Sequence, residues 1–163
     1  MKKLILAAVA VFAFAFSANA QNFEVGINGA IPIGDAGDFS SFSIGIDAAA
    51  LWNVSEDFDA GVATGFTNAF AKDIAGVSVD DAQFIPIAGA ARYNVSSKFY
   101  VGADLGYAIG INDGNDGGFY YRPKVGYDVT EKININLSYT GISIDSPGLS
   151  TWDTIGLGVA FGL

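Results

Sequence analysis

Strict alternation of apolar residues with small or polar residues is the feature that most limits how this chain can fold. In the clearest run, Val101 and Leu105 fall on one face and Asp104 falls on the other. Side chains of a β-strand point to two faces in turn, so a period of two predicts strands rather than helices. Eight such runs follow residue 21, at 23–33, 42–52, 58–66, 85–93, 99–110, 119–129, 133–140 and 154–163. The sequence therefore predicts an all-β fold.

The connections between these runs alternate in length. Short turns occupy 53–57, 94–98 and 129–132, and longer segments rich in Gly and Asp occupy 34–41, 71–81, 112–118 and 145–150. The runs match the ~9–11 residues that a tilted strand needs to cross a bilayer, whereas strands of soluble sheets are nearer ~5–6 residues. An even strand number is typical of single-chain bacterial barrels. The pattern predicts an eight-stranded antiparallel up-and-down transmembrane β-barrel.

The two faces of the predicted strands carry opposite chemistry. One face carries Ile, Val, Leu, Ala and aromatic residues, and the other carries Gly, Ala, Ser, Asn and the charges. The charged residues assigned to the second face are Glu24, Asp47, Asp59, Arg92, Asp104, Arg122, Lys124 and Asp128. A soluble barrel would turn the apolar face inward, whereas a membrane barrel turns it toward lipid, which cannot hydrate a charge. Alternation alone does not decide between the two.

Aromatic residues on the apolar face favour the membrane. Seven of them lie beside the short turns: Phe23, Trp52, Phe58, Tyr93, Phe99, Tyr127 and Phe161. Five lie toward the longer connections: Phe42, Phe66, Tyr107, Tyr121 and Tyr139. Two aromatic belts with aliphatic residues between them are typical of a protein that meets two membrane interfaces. The charged face is therefore expected to line the lumen, where the eight charged residues would form a polar network.

The first twenty residues form a separate segment. Lys2 and Lys3 precede an apolar run at 4–16, and Ala18 and Ala20 offer the small residues that a signal peptidase reads. The apolar run is shorter than the ~20 residues of a membrane-spanning helix. We therefore expect residues 1–20 to be a signal peptide, cleaved after Ala20, and residues 21–163 to form the barrel domain.

Composition excludes several kinds of chemistry. The chain has no Cys and no His, which rules out disulfides, thiolate or imidazole metal ligands and a Ser-His-Asp triad. A formal net charge of -9 argues against nucleic acid as a partner. The segment at 112–118 resembles a calcium loop, but its spacing breaks the alternate-ligand pattern and favours an ordinary turn. The sequence thus predicts a non-enzymatic protein without a cofactor or a metal site.

Taken together, these residues resemble the small eight-stranded outer-membrane β-barrels of Gram-negative bacteria, of the outer membrane protein X and W-like kind and the Bacteroidetes-type β-barrel family. The resemblance covers residues 21–163. Gly158 and Phe161 match the C-terminal signal read by the barrel assembly machinery, and Leu163 stands where a terminal Phe is usual. The resemblance implies a monomer in the outer membrane, surrounded by lipid and lipopolysaccharide. It also implies assembly by that machinery and periplasmic chaperones, with the short turns facing the periplasm.

Function is constrained less tightly than fold. An eight-stranded barrel is just wide enough for its own side chains, so the interpretation we favour is a lumen plugged by salt bridges. Such a protein would contribute to envelope structure or integrity, or to surface interactions. One alternative is a narrow channel for small solutes or ions, and a second is an adhesin or partner-binding barrel. Acidic residues of the longer connections could bind divalent cations, although ordinary solvated loop charge is the simpler interpretation: Asp35, Asp38, Asp73, Asp80, Asp81, Asp113, Asp116 and Asp145.

Overall fold

A closed barrel of eight strands is the architecture of this protein. The computed structural model describes residues 21–72, 80–146 and 149–163. The strands are β1 Gln21–Ile33, β2 Ser40–Asn53, β3 Phe58–Ala71, β4 Ala82–Asn94, β5 Phe99–Gly110, β6 Gly118–Thr130, β7 Ile133–Ser146 and β8 Leu149–Gly162. Each strand pairs antiparallel with its neighbours along the chain, and β8 returns to pair with β1. The predicted up-and-down topology is confirmed. The predicted signal peptide, residues 1–20, lies outside the described residues and stays a prediction.

Most strands are longer than the sequence predicted, and β3, β7 and β8 differ most. Strand β3 continues to Ala71, and β7 and β8 reach Ser146 and Leu149, so that only residues 147–148 separate them. The loop predicted at 145–150 was therefore wrong. Its Asp, Ser, Pro and Gly residues favour turns, but the backbone ladder continues across a register shift to the pairing of Ser146 with Leu149.

A short helix, α1 (Asp35–Phe39), occupies the first long connection, where the sequence predicted an irregular loop. Gly34 precedes it with φ of +56°, a left-handed conformation that glycine adopts without strain. Ala36 of this helix is completely buried, and the helix contacts β8, β1 and β2. We call this end of the barrel the loop end. The opposite end, where residues 54–57, 95–98 and 131–132 connect the strands and β8 terminates, is the turn end.

The two turns that share Asn-Val-Ser-x-x-Phe also share their geometry. The N–H of Val54 donates to the carbonyl of Phe58 at 2.9 Å, and the N–H of Val95 donates to that of Phe99 at 2.8 Å. Ser55 and Ser96 donate to the same two carbonyls. The repeated sequence therefore specifies a repeated turn, which joins β2 to β3 and β4 to β5.

The apolar face of the barrel is its outer face. Ile27 and Leu157 are 62% and 68% exposed, whereas the alternate positions Asp104 and Arg122 are 2% and 7% exposed. This arrangement inverts that of a soluble barrel and matches a protein surrounded by lipid. No helix within the described residues is long and apolar enough to cross a membrane.

Candidate functional site

Three ion pairs occupy the middle of the lumen. Arg92 Nη1 lies 2.5 Å from Glu24 Oε1, and Lys124 Nζ lies 2.5 Å from Asp104 Oδ2. Arg122 binds Asp47 through two parallel contacts, Nη1 to Oδ1 at 2.9 Å and Nη2 to Oδ2 at 3.2 Å. The structure thus brings six of the eight predicted lumen charges into direct pairs.

Two of these pairs cross the lumen. Glu24 is on β1 and Arg92 on β4, while Asp47 is on β2 and Arg122 on β6, so each pair joins strands that are not neighbours in the sheet. Asn28 of β1 adds a contact of 2.8 Å from its amide to Asp47 Oδ2. A charged hydrogen bond in a low-dielectric interior is strong, so these contacts brace the barrel wall from within.

The other two predicted lumen charges have different surroundings. Asp59 is buried, but it accepts hydrogen bonds from the side-chain amides of Asn53 at 2.5 Å and Asn94 at 3.1 Å. Asp128 is half-buried toward the turn end, beside the pair formed by Arg92 and Glu24. The sequence placed three cations among the five lumen carboxylates, an excess of two acids, and the two asparagines were not predicted as their partners. The sequence does contain a sign of their role, because Asn53 and Asn94 each begin one of the two repeated turns.

The loop end of the lumen is apolar. Phe84 and Trp152 point inward, with ring centroids 5.7 Å apart, and they pack with Ile142, Tyr120 and Ala36 of α1. The sequence predicted an inner face of mainly small and polar residues and did not predict this cluster. Phe84 precedes an alternating series of inward residues, which are Pro86, Ala88, Ala90 and Arg92. Extending that alternation by one step would have placed Phe84 inside.

Tyr100 lies between the ion pairs and the vestibule at the turn end. Its ring lies under the guanidinium of Arg92, 4.9 Å from centroid to carbon, and its hydroxyl donates to Asn134 Oδ1 at 3.2 Å. The ring also covers Gly126, where a Cβ atom would come within 2.1 Å of it. Glycine is therefore required at this position for Tyr100 to lie flat against β6.

Beyond a wide vestibule, the free space described in the lumen is small. The vestibule, of about 830 Å³, opens at the turn end, and Leu51, Tyr100 and Arg92 are among the residues that line it. Beyond it lie two small cavities, one of about 40 Å³ among the ion pairs and one of about 30 Å³ below Phe84 and Trp152. An eight-stranded barrel is just wide enough for its own side chains to fill its interior.

All twelve residues of the predicted aromatic belts lie at outward-facing positions of the strands. At the turn end, Phe99 and Tyr127 pack with ring centroids 4.8 Å apart. At the loop end, Tyr121 lies 6.3 Å from Phe119 and 6.1 Å from Tyr139. That these residues meet the two membrane interfaces stays a prediction.

One charged residue lies on the outer face, against the expectation that every charge within a strand faces the lumen. Asp153 lies between Trp152 and Thr154, which are both buried in the lumen, so alternation places Asp153 on the outer face. Its Oδ2 accepts a hydrogen bond of 2.6 Å from the Thr151 hydroxyl. The sequence prediction began β8 at residue 154 and so left Asp153 in a loop. It lies near the loop end, beyond the aliphatic positions Ile155 and Leu157.

The residues of the predicted assembly signal lie along β8. Phe161 is 45% exposed on the outer face, and Leu163 is 79% exposed at the turn end. Gly158 faces inward opposite Asn136, whose amide atoms would lie 3.0 Å from an added Cβ. Their role in assembly stays a prediction.

The acidic connections at the loop end form hydrogen-bonded turns. Asn115 donates to the carbonyl of Gln83 and to Asn112 Oδ1 within the loop that resembled a calcium site. The carboxylate of Asp81 accepts bonds from the Asn68 amide at 2.8 Å and the Ala71 N–H at 3.0 Å, which hold the pKa of Asp81 below its usual value. Among the described residues, no three His, Cys, Asp or Glu side chains group as metal ligands. Asp73 lies outside the described residues, and nothing is described of the Asp145 side chain.

Comparison with known families and structures agrees with this architecture. Residues 4–162 match the family described as "Outer membrane protein beta-barrel domain". No curated protein matches the sequence significantly. The outer membrane protein Ail of Yersinia pestis, solved in a phospholipid bilayer nanodisc, is 12% identical over 87% of this chain and 99% of its own, with a TM-score of 0.63.

Two further solved structures show the same fold. Ail in complex with the heparin analogue sucrose octasulfate is 11% identical over 88% of this chain and 97% of its own, with a TM-score of 0.55. The N-terminal β-barrel domain of Pseudomonas aeruginosa OprF is 17% identical over 87% of this chain and 97% of its own, with a TM-score of 0.52. At these identities the likeness concerns the fold alone.

Proposed function

Because the chain belongs to the outer membrane protein beta-barrel domain family, we propose that it is a non-conducting, non-enzymatic barrel that contributes to envelope structure or integrity. The observation that carries this proposal is how little free space the lumen keeps beyond the vestibule. Three ion pairs and an apolar cluster fill the barrel between the vestibule and the loop end. A wall braced from inside serves a structural role, whereas a solute channel needs an open path.

The channel alternative is tested by conductance. Purified protein in planar bilayers should give no reproducible current steps, because the free spaces beyond the vestibule are only about 40 and 30 Å³. Ala88→Gly and Trp152→Ala, which remove bulk from the ion-pair region and the apolar cluster, provide comparison variants. Reproducible steps with the unmodified protein would contradict the proposal and favour the narrow channel.

The envelope role is tested in a deletion strain. Loss of the protein should increase sensitivity to detergent and to a chelator of divalent cations, and the unmodified gene should restore resistance. A deletion strain that matches its parent in both assays would contradict an integrity role. Lipid and lipopolysaccharide are the surroundings that this role implies, with the barrel assembly machinery and periplasmic chaperones acting during biogenesis.

An adhesive role finds less support in the loop end. Lys72 is the one basic residue on the described part of the connections there. Six carboxylates lie on the same described part: Asp35, Asp38, Asp80, Asp81, Asp113 and Asp116. Ail binds a heparin analogue in its solved complex, but an acidic surface repels such a polyanion. We therefore expect no retention of this protein on immobilised heparin at low salt.

A further inference from the structure

One carboxylate on the outer wall of the barrel has no cation to compensate it. Asp153 of β8 faces outward near the loop end, and among the described residues no Lys or Arg pairs with it. Its Oδ2 accepts the hydrogen bond from Thr151, whereas its Oδ1 is shielded and accepts none within the described part of the chain. A charge held against lipid is costly unless it is compensated. Asp153 therefore requires either a proton or a positive charge from outside the barrel wall.

A glycine on the neighbouring strand brings a tyrosine ring toward this carboxylate. Asp153 is the register partner of Gly141 on β7, and Gly141 is in turn the register partner of Tyr121 on β6. A Cβ atom added at Gly141 would overlap the Tyr121 ring and its hydroxyl oxygen. The ring therefore lies flat across β7 and extends toward β8, where Asp153 lies.

Tyr139 completes a cluster of two tyrosines and one carboxylate. Its ring centroid is 6.1 Å from that of Tyr121, and its hydroxyl lies beside the Tyr121 hydroxyl and the Asp153 carboxylate. The planes of the two tyrosine rings differ by 31°, and Phe119 continues the row with its plane 28° from that of Tyr121. Tyr121, Tyr139 and Asp153 are each half-buried, so this tyrosine-carboxylate cluster is open to its surroundings.

The cluster lies where the apolar band of the outer wall ends. On its turn-end side are the exposed aliphatic residues Leu137 and Leu157. On its loop-end side are Ser143 and Ser150, which are exposed and carry hydroxyls. Tyrosine is the residue type that membrane interfaces favour at such a boundary. Lipid headgroups, rather than hydrocarbon tails, are therefore the groups that meet the cluster.

The chemistry of the cluster favours an ammonium group. Aromatic rings attract a cation, and a positive charge within about 4–6 Å stabilises a carboxylate without touching it. The tyrosine hydroxyl oxygens accept hydrogen bonds from N–H donors. A divalent cation takes about six to eight oxygen ligands and would find a single carboxylate here, and a headgroup that carries only a phosphate would be repelled by Asp153.

We propose that the tyrosine-carboxylate cluster binds a lipid headgroup that ends in a primary ammonium group. The ammonium lies beside the rings of Tyr121 and Tyr139, donates to their hydroxyl oxygens and compensates the charge of Asp153. Thr151 holds the carboxylate in place through its hydrogen bond. The inference goes beyond the proposed function, because binding at the outer wall does not depend on whether the lumen conducts.

Lipid retention by the unmodified protein is the direct test. The protein is reconstituted in vesicles of equal parts phosphatidylethanolamine and phosphatidylglycerol, and native mass spectrometry measures which lipid stays bound after release. Both lipids carry a phosphate, but only the first carries an ammonium, so we expect at least about threefold more of it on the protein. Equal retention would overturn the proposal. Retention of phosphatidylglycerol that requires added Ca²⁺ would indicate a divalent cation and would also overturn it.

Two variants assign the preference to the cluster. Asp153→Asn keeps the shape of the side chain and removes its charge, so the preference for phosphatidylethanolamine should disappear. Asp113→Asn is the matched control, because it removes one carboxylate from a loop-end connection outside the cluster, and it should retain the preference. An undiminished preference in Asp153→Asn, or equal loss in both variants, would contradict the assignment to Asp153.

Discussion

At the residue scale, the interior depends on charges that are useful only in pairs. Lys124 and Asp104 have side chains that are 9% and 3% exposed, so each is held in the lumen by the other. Removing one partner of a buried pair leaves the other charge buried without compensation. Removing both partners abolishes their attraction but also the cost of burying either charge. The two kinds of substitution should therefore differ strongly.

Lys124→Met should destabilise the barrel by about 3–5 kcal/mol, because Asp104 then stays buried without a cation. The double variant Lys124→Met with Asp104→Leu should recover most of that loss. Urea unfolding in micelles or vesicles measures both values. Lys98→Met, at an exposed position of the turn end, is the control and should change stability by less than about 0.5 kcal/mol. Equal losses in the single and double variants would refute the pairing argument.

A second residue-scale prediction concerns Gly126. Gly126→Ala places a Cβ within 2.1 Å of the Tyr100 ring, so Tyr100 must leave its positions beneath Arg92 and beside Asn134. We expect a loss of about 1–3 kcal/mol in the same unfolding assay. Gly89→Ala on the outer face is the control, because its nearest neighbouring atom, the Leu105 carbonyl oxygen, is 3.9 Å away. Similar losses at both glycines would mean that strand propensity, not the Tyr100 contact, explains the effect.

At the element scale, the sequence predicted strands well where alternation was unbroken and poorly where turn-forming residues interrupted it. Strand β5 has the predicted bounds at both ends, since Val101, Leu105 and Asp104 mark its faces clearly. The hairpin of β7 and β8 was truncated because residues 145–150 combine Pro, Gly, Ser and Asp. Pairing with a neighbouring strand outweighs these local preferences, and pairing cannot be read from one segment alone.

The same limit explains what the sequence revealed about the lumen. The alternation of side chains placed the charged residues on one face. It did not indicate which carboxylate pairs with which cation across the barrel. The pairing of Arg92 with Glu24 depends on strand tilt and on the register of β1 to β4, which are properties of the closed sheet. The helix α1 escaped prediction because five residues are too few to show a helical period.

An element-scale prediction follows for β8. Phe161→Ala should lower the yield of folded protein in a reconstituted assembly reaction several-fold, because the resemblance assigns this residue to the signal that assembly requires. Phe99→Ala is the matched control, since Phe99 is also an outward aromatic at the turn end. Folded yield is measured by protease protection in vesicles. Equal yields for the two variants would contradict a special role for Phe161.

At the scale of the whole molecule, the barrel has an apolar outside and an inside closed by pairs of charges. Ring closure through β1 and β8 leaves none of the described strands at a sheet edge, and this property makes such barrels resistant to detergent. Backbone hydrogen bonds thus join every described strand to two neighbours around the barrel wall. The side chains inside determine whether solutes pass through the lumen.

Resistance to detergent gives a whole-molecule prediction. Protein extracted from membranes should migrate at different positions in SDS gels with and without boiling, because the closed barrel stays folded in cold SDS. Gly158→Pro would remove one hydrogen-bond donor from the ladder of β8 and crowd the Asn136 amide, and it should raise the fraction that migrates at the boiled position without boiling. One position for unmodified membrane-extracted protein under both conditions would argue against a stable closed barrel.

The two asparagines that bind Asp59 have a consequence for the order in which the barrel is made. Asn53, Asp59 and Asn94 come from a span of chain shorter than that between Glu24 and Arg92 or between Asp47 and Arg122. Contacts close in sequence form earlier than distant ones, because less chain entropy is lost in making them. Strands β2 to β4 can therefore associate as a nucleus, secured at one end by buried amides, while the charges of β1 and β6 are still apart. Closure then comes last, when β8 pairs with β1.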